Sequence, residues 1–189
     1  YLLKTLLETK IEQVTVDTDN PEIAEAVKKI FPEILIDFRP AEYCGDFVGG
    51  NKLLSRFVTE PEDIYVQSHV TCPLIKARSI DKAIEMIESG VSSVFSVTKI
   101  NQRLWMNGDF LLPVNHLACG PTLRTQDLPA VFAENAGFFA FRGSYFLSHN
   151  SRNGPESKMY ELEFPENSDI DTYQDYVLVQ SIIRSGLHQ

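Results

Sequence analysis

Two aspartates near the end of the chain, Asp169 and Asp171, stand two residues apart in a stretch that reads as extended, so both carboxylates point to one side. One or two carboxylates, completed by phosphate oxygens and water, are what Mg²⁺ takes as ligands. The competing reading is a turn in which Thr172, or Asp171 itself, caps the following helix. Arg39 can grip a phosphate or a ring edge through two parallel N–H bonds, or it can serve as one half of a surface ion pair. Further polar groups cluster at Asp17-Thr18-Asp19, at Ser68 to Leu74, which includes His69 and Thr71, and at Ser168 to Thr172. Cys44, Cys72 and Cys119 are odd in number and far apart, and His69, His116, His149 and His188 are scattered. Neither set has the spacing of a zinc site, a haem site or a disulfide framework, which favours a reducing, cytoplasmic setting.

The elements that would carry these groups follow from periodicity. Leu2, Leu3, Leu6 and Leu7 recur at helical spacing, and Val14 and Val16 alternate into a strand. Asn20-Pro21 opens a helix with its apolar face at Ile23, Val27 and Ile30, ending near Phe31. Strand Ile34–Ile36 follows and breaks at Arg39-Pro40. After the glycines at 45, 49 and 50, Leu53, Leu54, Phe57 and Val58 predict a helix, and Ile64–Val66 a strand. Ser79 is placed to cap a helix with Ile80, Ala83, Ile84 and Ile87 on one face, and Val94–Val97 forms the next strand. Such alternation predicts right-handed crossovers and a mostly parallel sheet covered on both faces, the three-layer α/β class. In that architecture ligands sit beyond the carboxyl ends of the strands, where the polar groups above fall.

Residues 99–135 lose that rhythm while carrying Leu104, Trp105, Phe110, Leu111 and Leu112, so they read as an arm inserted into a single domain spanning 1–189. Regular structure resumes at Phe138–Phe141 and Met159–Phe164 and closes in a helix after Thr172. With 189 residues and a formal charge of −9, the chain supports one sizeable core and disfavours nucleic acid or an anionic membrane as partner. No apolar run reaches the ~20 residues of a membrane span, and no targeting segment opens the sequence. It begins without Met, which reads Tyr1 as an internal start.

An ordered set of motifs, V-T-V-D-T-D-N-P-E-I-A-E (14–25), R-P-A-E (39–42), T-C-P-L (71–74), S-V-F-S-V-T (93–98), R-T-Q-D-L-P (124–129), E-N-A-G-F-F (134–139) and D-I-D-T-Y-Q-D-Y (169–176), runs nearly end to end. In that order it resembles the cytidylyltransferases that activate sialic acids and related nine-carbon acids as CMP-sugars. The resemblance implies a Rossmann-like nucleotidyltransferase fold, CTP as substrate, Mg²⁺ as cofactor, a nonulosonic acid as acceptor, and a homodimer whose arm reaches over the neighbour's site. It implies Asp169 and Asp171 as catalytic metal ligands, and Arg39, Asp19 and Thr71 at the nucleotide. At the sugar it implies His69, Arg124, Gln126, Asn135 and Phe138 or Phe139. Ahead of Tyr1 it implies an opening strand and a glycine- and basic-rich phosphate loop, which either lie upstream or are lacking. His69-Val70 replaces the family's usual Gln-Pro before T-C-P-L, which bears on the acid accepted. Ala136 stands where the family often has Asn-Gly, leaving that register ambiguous by one residue. The alternatives are an eight-carbon or diamino acid as acceptor, or a non-catalytic dimer that binds a nucleotide or a partner.

Overall fold

A computed structural model describes residues 1–45 and 47–188. Helix α1 (Leu2–Leu7) leads into β1 (Thr15–Thr18), α2 (Pro21–Ile30) and β2 (Leu35–Phe38), and β1 and β2 pair in parallel. The start of α2 is dictated locally: Asn20 Oδ1 accepts the Glu22 and Ile23 N–H groups at 2.8 and 3.3 Å, and Pro21 takes the first helical position. A short helix α3 (Gly50–Leu54) precedes β3 (Ile64–Ser68), and Phe57 and Val58, expected in that helix, lie beyond its end.

Helix α4 (Ala77–Glu88) then leads to β4 (Ser93–Ile100), a hairpin of β5 (Trp105–Asn107) and β6 (Leu111–Pro113), β7 (Val131–Arg142), α5 (Gly143–His149), β8 (Lys158–Glu161) and α6 (Tyr173–Ser185). The central sheet has the order β3-β7-β4-β8. Both β3 and β4 are antiparallel to β7, while β8 is parallel to β4, so three strands share a direction and β7 alone is reversed. The expected α/β class with a mostly parallel sheet is therefore what forms. The reversal follows from the excursion between β4 and β7, which brings the chain back beside β4 without a crossover helix.

Strand alternation supplies both faces. Phe138 and Ala140 pack with Ile80, Ala83, Ile84 and Ile87 of α4, whereas Phe139 and Phe141 pack with Leu54, Val58 and Phe146 on the opposite side. Helices thus cover the sheet above and below, the three layers expected from sequence. Gly143 is required where β7 turns into α5, because a Cβ there would lie 2.0 Å from the Glu60 carbonyl oxygen. No described helix is long and apolar enough to cross a membrane.

Two boundaries differ from expectation for a physical reason. The stretch 99–135 is irregular only in its middle, since β4 runs on to Ile100 and β7 starts at Val131, with Ile100 opposite Val131 and Val97 opposite Glu134. Between Phe95 and Val97 the register shifts, and Ala136 absorbs the shift with a φ of 53°. Strand β8 ends at Glu161, short of Phe164.

Candidate active site

Two loops meet beyond the carboxyl end of β3. Ile170 N–H donates to the Thr71 carbonyl at 2.9 Å, tying the 166–172 segment to the His69–Cys72 turn. The same segment is anchored by Glu166, which is buried and accepts from the Lys76 N–H at 3.1 Å and the Ser79 hydroxyl at 2.6 Å. Glu166 therefore satisfies the N-terminus of α4 from ninety residues away. Ser79, expected as the cap itself, sits inside the first turn, and the cap position belongs to Lys76.

Asp169 lies against Cys72 and within electrostatic reach of His69. Burial, reinforced by the Asp169 charge, pushes the Cys72 thiol up to about 12, so it is a packing residue and no nucleophile. Burial also pushes His69 below the usual imidazole value, helped by the Arg152 charge and opposed by Asp169 and Glu134. Its Nε2 is enclosed with no hydrogen-bond partner among the described residues.

The helix cap that competed with a metal role for Asp171 is made by Thr172. Thr172 Oγ1 accepts the Asp175 N–H at 3.3 Å while Asp175 Oδ2 accepts the Thr172 N–H at 2.8 Å, a reciprocal capping box. The Thr172 hydroxyl, donating to Asp175 Oδ2 at 2.7 Å, and the Thr172 N–H hold the Asp175 carboxyl below its usual value. The Asp171 side chain takes no part in that box and is exposed. Among the described residues no three of His, Cys, Asp and Glu converge as a metal cage. Asp171 is exposed and Asp169 half-buried against Cys72, and one or two carboxylates of this kind suit a hard cation that keeps most of its water and phosphate ligands.

Beside this loop junction, the face of Phe139 carries a cation that no motif announced. The Arg152 guanidinium lies 3.5 Å from the Phe139 ring centroid and donates through Nη1 to Gln67 Oε1. The other side of its fork faces Glu134 Oε1 at 3.9 Å, beyond hydrogen-bond length, while Glu134 Oε2 accepts from Asn153 at 3.0 Å. His69 stands 6.2 Å from the same ring, centroid to centroid. Gly50 lies so close that a Cβ there would come within 3.3 Å of Arg152 Nη1. Gln67, His69, Phe139, Glu134 and Arg152 thus form one half-buried group next to Thr71 and Asp169. Gln67 had a faint signal, since it follows Tyr65 at strand spacing on the same face. Arg152 had none, because its partner is 85 positions away.

The other expected residues divide. Phe138 is fully buried on the α4 face against Tyr160 and is turned away from this group, as alternation with Phe139 requires. Asn135 is spent on the bulge: its Oδ1 accepts from Ser96 Oγ at 2.6 Å and Gly137 N at 3.2 Å, and its Nδ2 donates to Thr98 Oγ1 at 2.9 Å. The sheet, rather than a ligand, uses that amide. Arg39 is engaged by Asp17, with Nε and Nη2 both 3.1 Å from Oδ2, and Arg56 bridges Asp17 to Asp37. This ion-paired reading of Arg39 was its alternative from sequence, and the Asp17 hydrogen bond raises its pKa further. Asp19 is exposed at the end of β1 and touches Cys44. Arg124 pairs with Asp127 at 2.7 Å on an exposed turn that also carries Gln126.

Comparison with known proteins gives this arrangement its context. Among curated proteins no match is found. Solved structures of similar fold include 4-diphosphocytidyl-2C-methyl-D-erythritol synthase from Anaerococcus prevotii DSM 20548, with TM-score 0.66 and 12% identity over 97% of this chain and 84% of that one. A second structure of a 4-diphosphocytidyl-2C-methyl-D-erythritol synthase aligns with TM-score 0.65 and 11% identity over 96% of this chain and 87% of that one. CMP:2-keto-3-deoxy-manno-octonic acid synthetase complexed with CTP aligns with TM-score 0.63 and 14% identity over 97% of this chain and 86% of that one. At such identities the likeness establishes the fold. The family model described as "Cytidylyltransferase" matches residues 1–176, from α1 through the Asp169–Asp171 loop into α6, and on that match the chain belongs to the cytidylyltransferase family and is a CTP-dependent nucleotidyltransferase.

Proposed function

We propose that the protein transfers CMP from CTP to the anomeric hydroxyl of a sialic-type 2-keto sugar acid. The observation that carries this reading is the junction of the Thr71 loop with the Asp169–Asp171 loop, set directly beside the half-buried polar group around Phe139. One side offers carboxylates to a metal-bound triphosphate, and the other offers a cation to an anionic sugar. The anomeric oxygen attacks the α-phosphorus, the bond from that phosphorus to the bridging oxygen breaks, and pyrophosphate departs with the electron pair. The hydroxyl proton passes to solvent or to a nearby base. Such a transfer depends on positioning and charge neutralisation, with no covalent enzyme intermediate.

Asp169 and Asp171 would hold Mg²⁺, which supplies charge neutralisation at the phosphates. His69, kept neutral by burial, accepts or donates a hydrogen bond without adding charge. Phe139, fully buried beneath Arg152, serves the sugar side only by seating that cation. Thr71, through its place on the turn, and Asp19 and Arg39, at the ends of β1 and β2, face the nucleotide side in this reading.

The β5-β6 hairpin and the segment after it form the dimerisation arm. Phe110 and Leu117 are 81% and 70% exposed there, alongside Trp105, Leu111 and Leu112, an apolar surface suited to a second copy of the chain. The arm would then carry Arg124 and Gln126 to the partner's sugar. Three free cysteines fit a reducing, cytoplasmic setting.

The test is pyrophosphate release in the presence of Mg²⁺, with each of the four ribonucleoside triphosphates against N-acetylneuraminic acid, a diamino relative and 2-keto-3-deoxy-manno-octonic acid. Release from CTP with a nine-carbon acid is expected. Release only with the eight-carbon acid would reassign the acceptor, and no release with any acid would overturn the sugar-acid reading.

A further inference from the structure

Arg152 is an unusual cation to find half-buried in a chain of charge −9, because its side chain is only 17% exposed and yet, among the described residues, makes a single hydrogen bond, to the neutral Gln67. A guanidinium carries five N–H donors in a rigid fork. Its counter-charge, Glu134, stays beyond hydrogen-bond length, is about half exposed, and is held back by Asn153 on its other oxygen. Burial costs a guanidinium hydration that these contacts do not restore, and it pulls the Arg152 pKa below its usual value. The Phe139 ring fixes the plane of the fork, Gln67 fixes one corner, and Gly50 leaves room for the guanidinium where a Cβ would crowd Nη1.

We propose that Arg152 binds the carboxylate of the acceptor acid, clamping it through the free side of its fork, with Glu134 as the resident counter-ion that the substrate replaces. The proposal rests on the sugar-acid reading above. In a 2-keto sugar acid the carboxylate sits on the anomeric carbon, the carbon that also bears the attacking hydroxyl. A bidentate grip on that carboxylate therefore aims the nucleophile as well as selecting for an acid. Arg124, paired to Asp127 and exposed, offers no such preset plane.

The experiment compares each acid with its carboxamide, which has nearly the same shape and no charge. Binding of N-acetylneuraminic acid and of 2-keto-3-deoxy-manno-octonic acid, and of the two amides, is measured by calorimetry on wild type, Arg152→Gln, Arg152→Lys and Glu134→Gln, with a thermal melt of each. For the better-bound acid the wild type is expected to prefer acid over amide by about tenfold or more, as for a charge-assisted pair. In Arg152→Gln that preference falls to near unity while amide binding is unchanged, and Arg152→Lys is intermediate. Glu134→Gln, which keeps the cation and removes its rival, binds the acid severalfold tighter. Two results overturn the proposal: a preference retained in Arg152→Gln, or equal binding of acid and amide by the wild type. If Arg152→Gln melts early, an unchanged or weaker acid affinity in Glu134→Gln overturns it instead. A preference retained in Arg152→Gln while wild type still releases pyrophosphate from CTP removes Arg152 and leaves the sugar-acid reading standing. Absence of release with any acid removes both.

Discussion

Replacing Glu166 by Ala should cost more than any surface substitution, because it strips the N-terminus of α4 and unties the loop that bears Asp169 and Asp171. Glu166 accepts the Lys76 N–H at 3.1 Å and the Ser79 hydroxyl at 2.6 Å from a side chain only 10% exposed. Hydrogen bonds to a charged group contribute about 1.5–3 kcal/mol where they are buried. The carboxylate at a helix N-terminus adds about 0.3–1 kcal/mol. The Arg78 contact at 3.5 Å adds little, since that side chain is 75% exposed. A total near 3 kcal/mol is expected, which for a chain of this size lowers Tm by about 6–12 °C. Urea titration with an unchanged slope measures it directly. Ser79→Ala should cost about 1.5 kcal/mol by itself. In the double variant it should add almost nothing to Glu166→Ala, because both remove one bond. A loss below about 1 kcal/mol for Glu166→Ala, or full additivity with Ser79→Ala, would refute the reasoning.

Asp171→Asn keeps the shape of the side chain and should leave the melt near wild type while lowering turnover about a hundredfold, with a weaker Mg²⁺ dependence, as loss of several kcal/mol of charge stabilisation requires. An unchanged Mg²⁺ titration would show that this carboxylate holds no metal. Mixing inactive Arg124→Ala and Asp171→Asn chains under exchange conditions should restore one working centre per mixed dimer, and a mixture as inactive as its parents, or a monomer by light scattering, would rule out the shared site. The Glu85 carboxyl is drawn down to about 2 by hydrogen bonds from Lys82 and Lys10. A group depressed in this way adds stability above the ordinary carboxylate range and loses it as pH falls toward about 2. Its NMR titration midpoint should therefore return toward the ordinary range in Lys82→Ala.

What the sequence determined by itself was local or periodic. The start of α2 follows from Asn20 and Pro21 alone, because the cap and the bonds it makes lie within three residues. The start of α6 follows from Thr172 and Asp175 for the same reason, and α4 shows its buried stripe, Ile80, Ala83, Ile84 and Ile87, at helical period. The alternation of such segments was enough for a three-layer α/β class, and the ordered motifs were enough for the cytidylyltransferase family, with the sialic-type acceptor left as a proposal. The reversed β7, the bulge at Asn135 and Ala136, the capping of α4 by Glu166 and the seat of Arg152 on Phe139 were decided only by tertiary structure. They rest on pairs far apart in the chain, such as Ser96 with Asn135, Arg152 with Gln67 and Ser79 with Glu166, which are 39, 85 and 87 positions apart. Sequence spacing carries no information about such pairs, since their meeting depends on the direction and register of strands. The pleat alone puts Phe138 and Phe139, neighbours in the chain, on opposite faces of the sheet, but which of the two lies beneath the cation was decided by the tertiary structure.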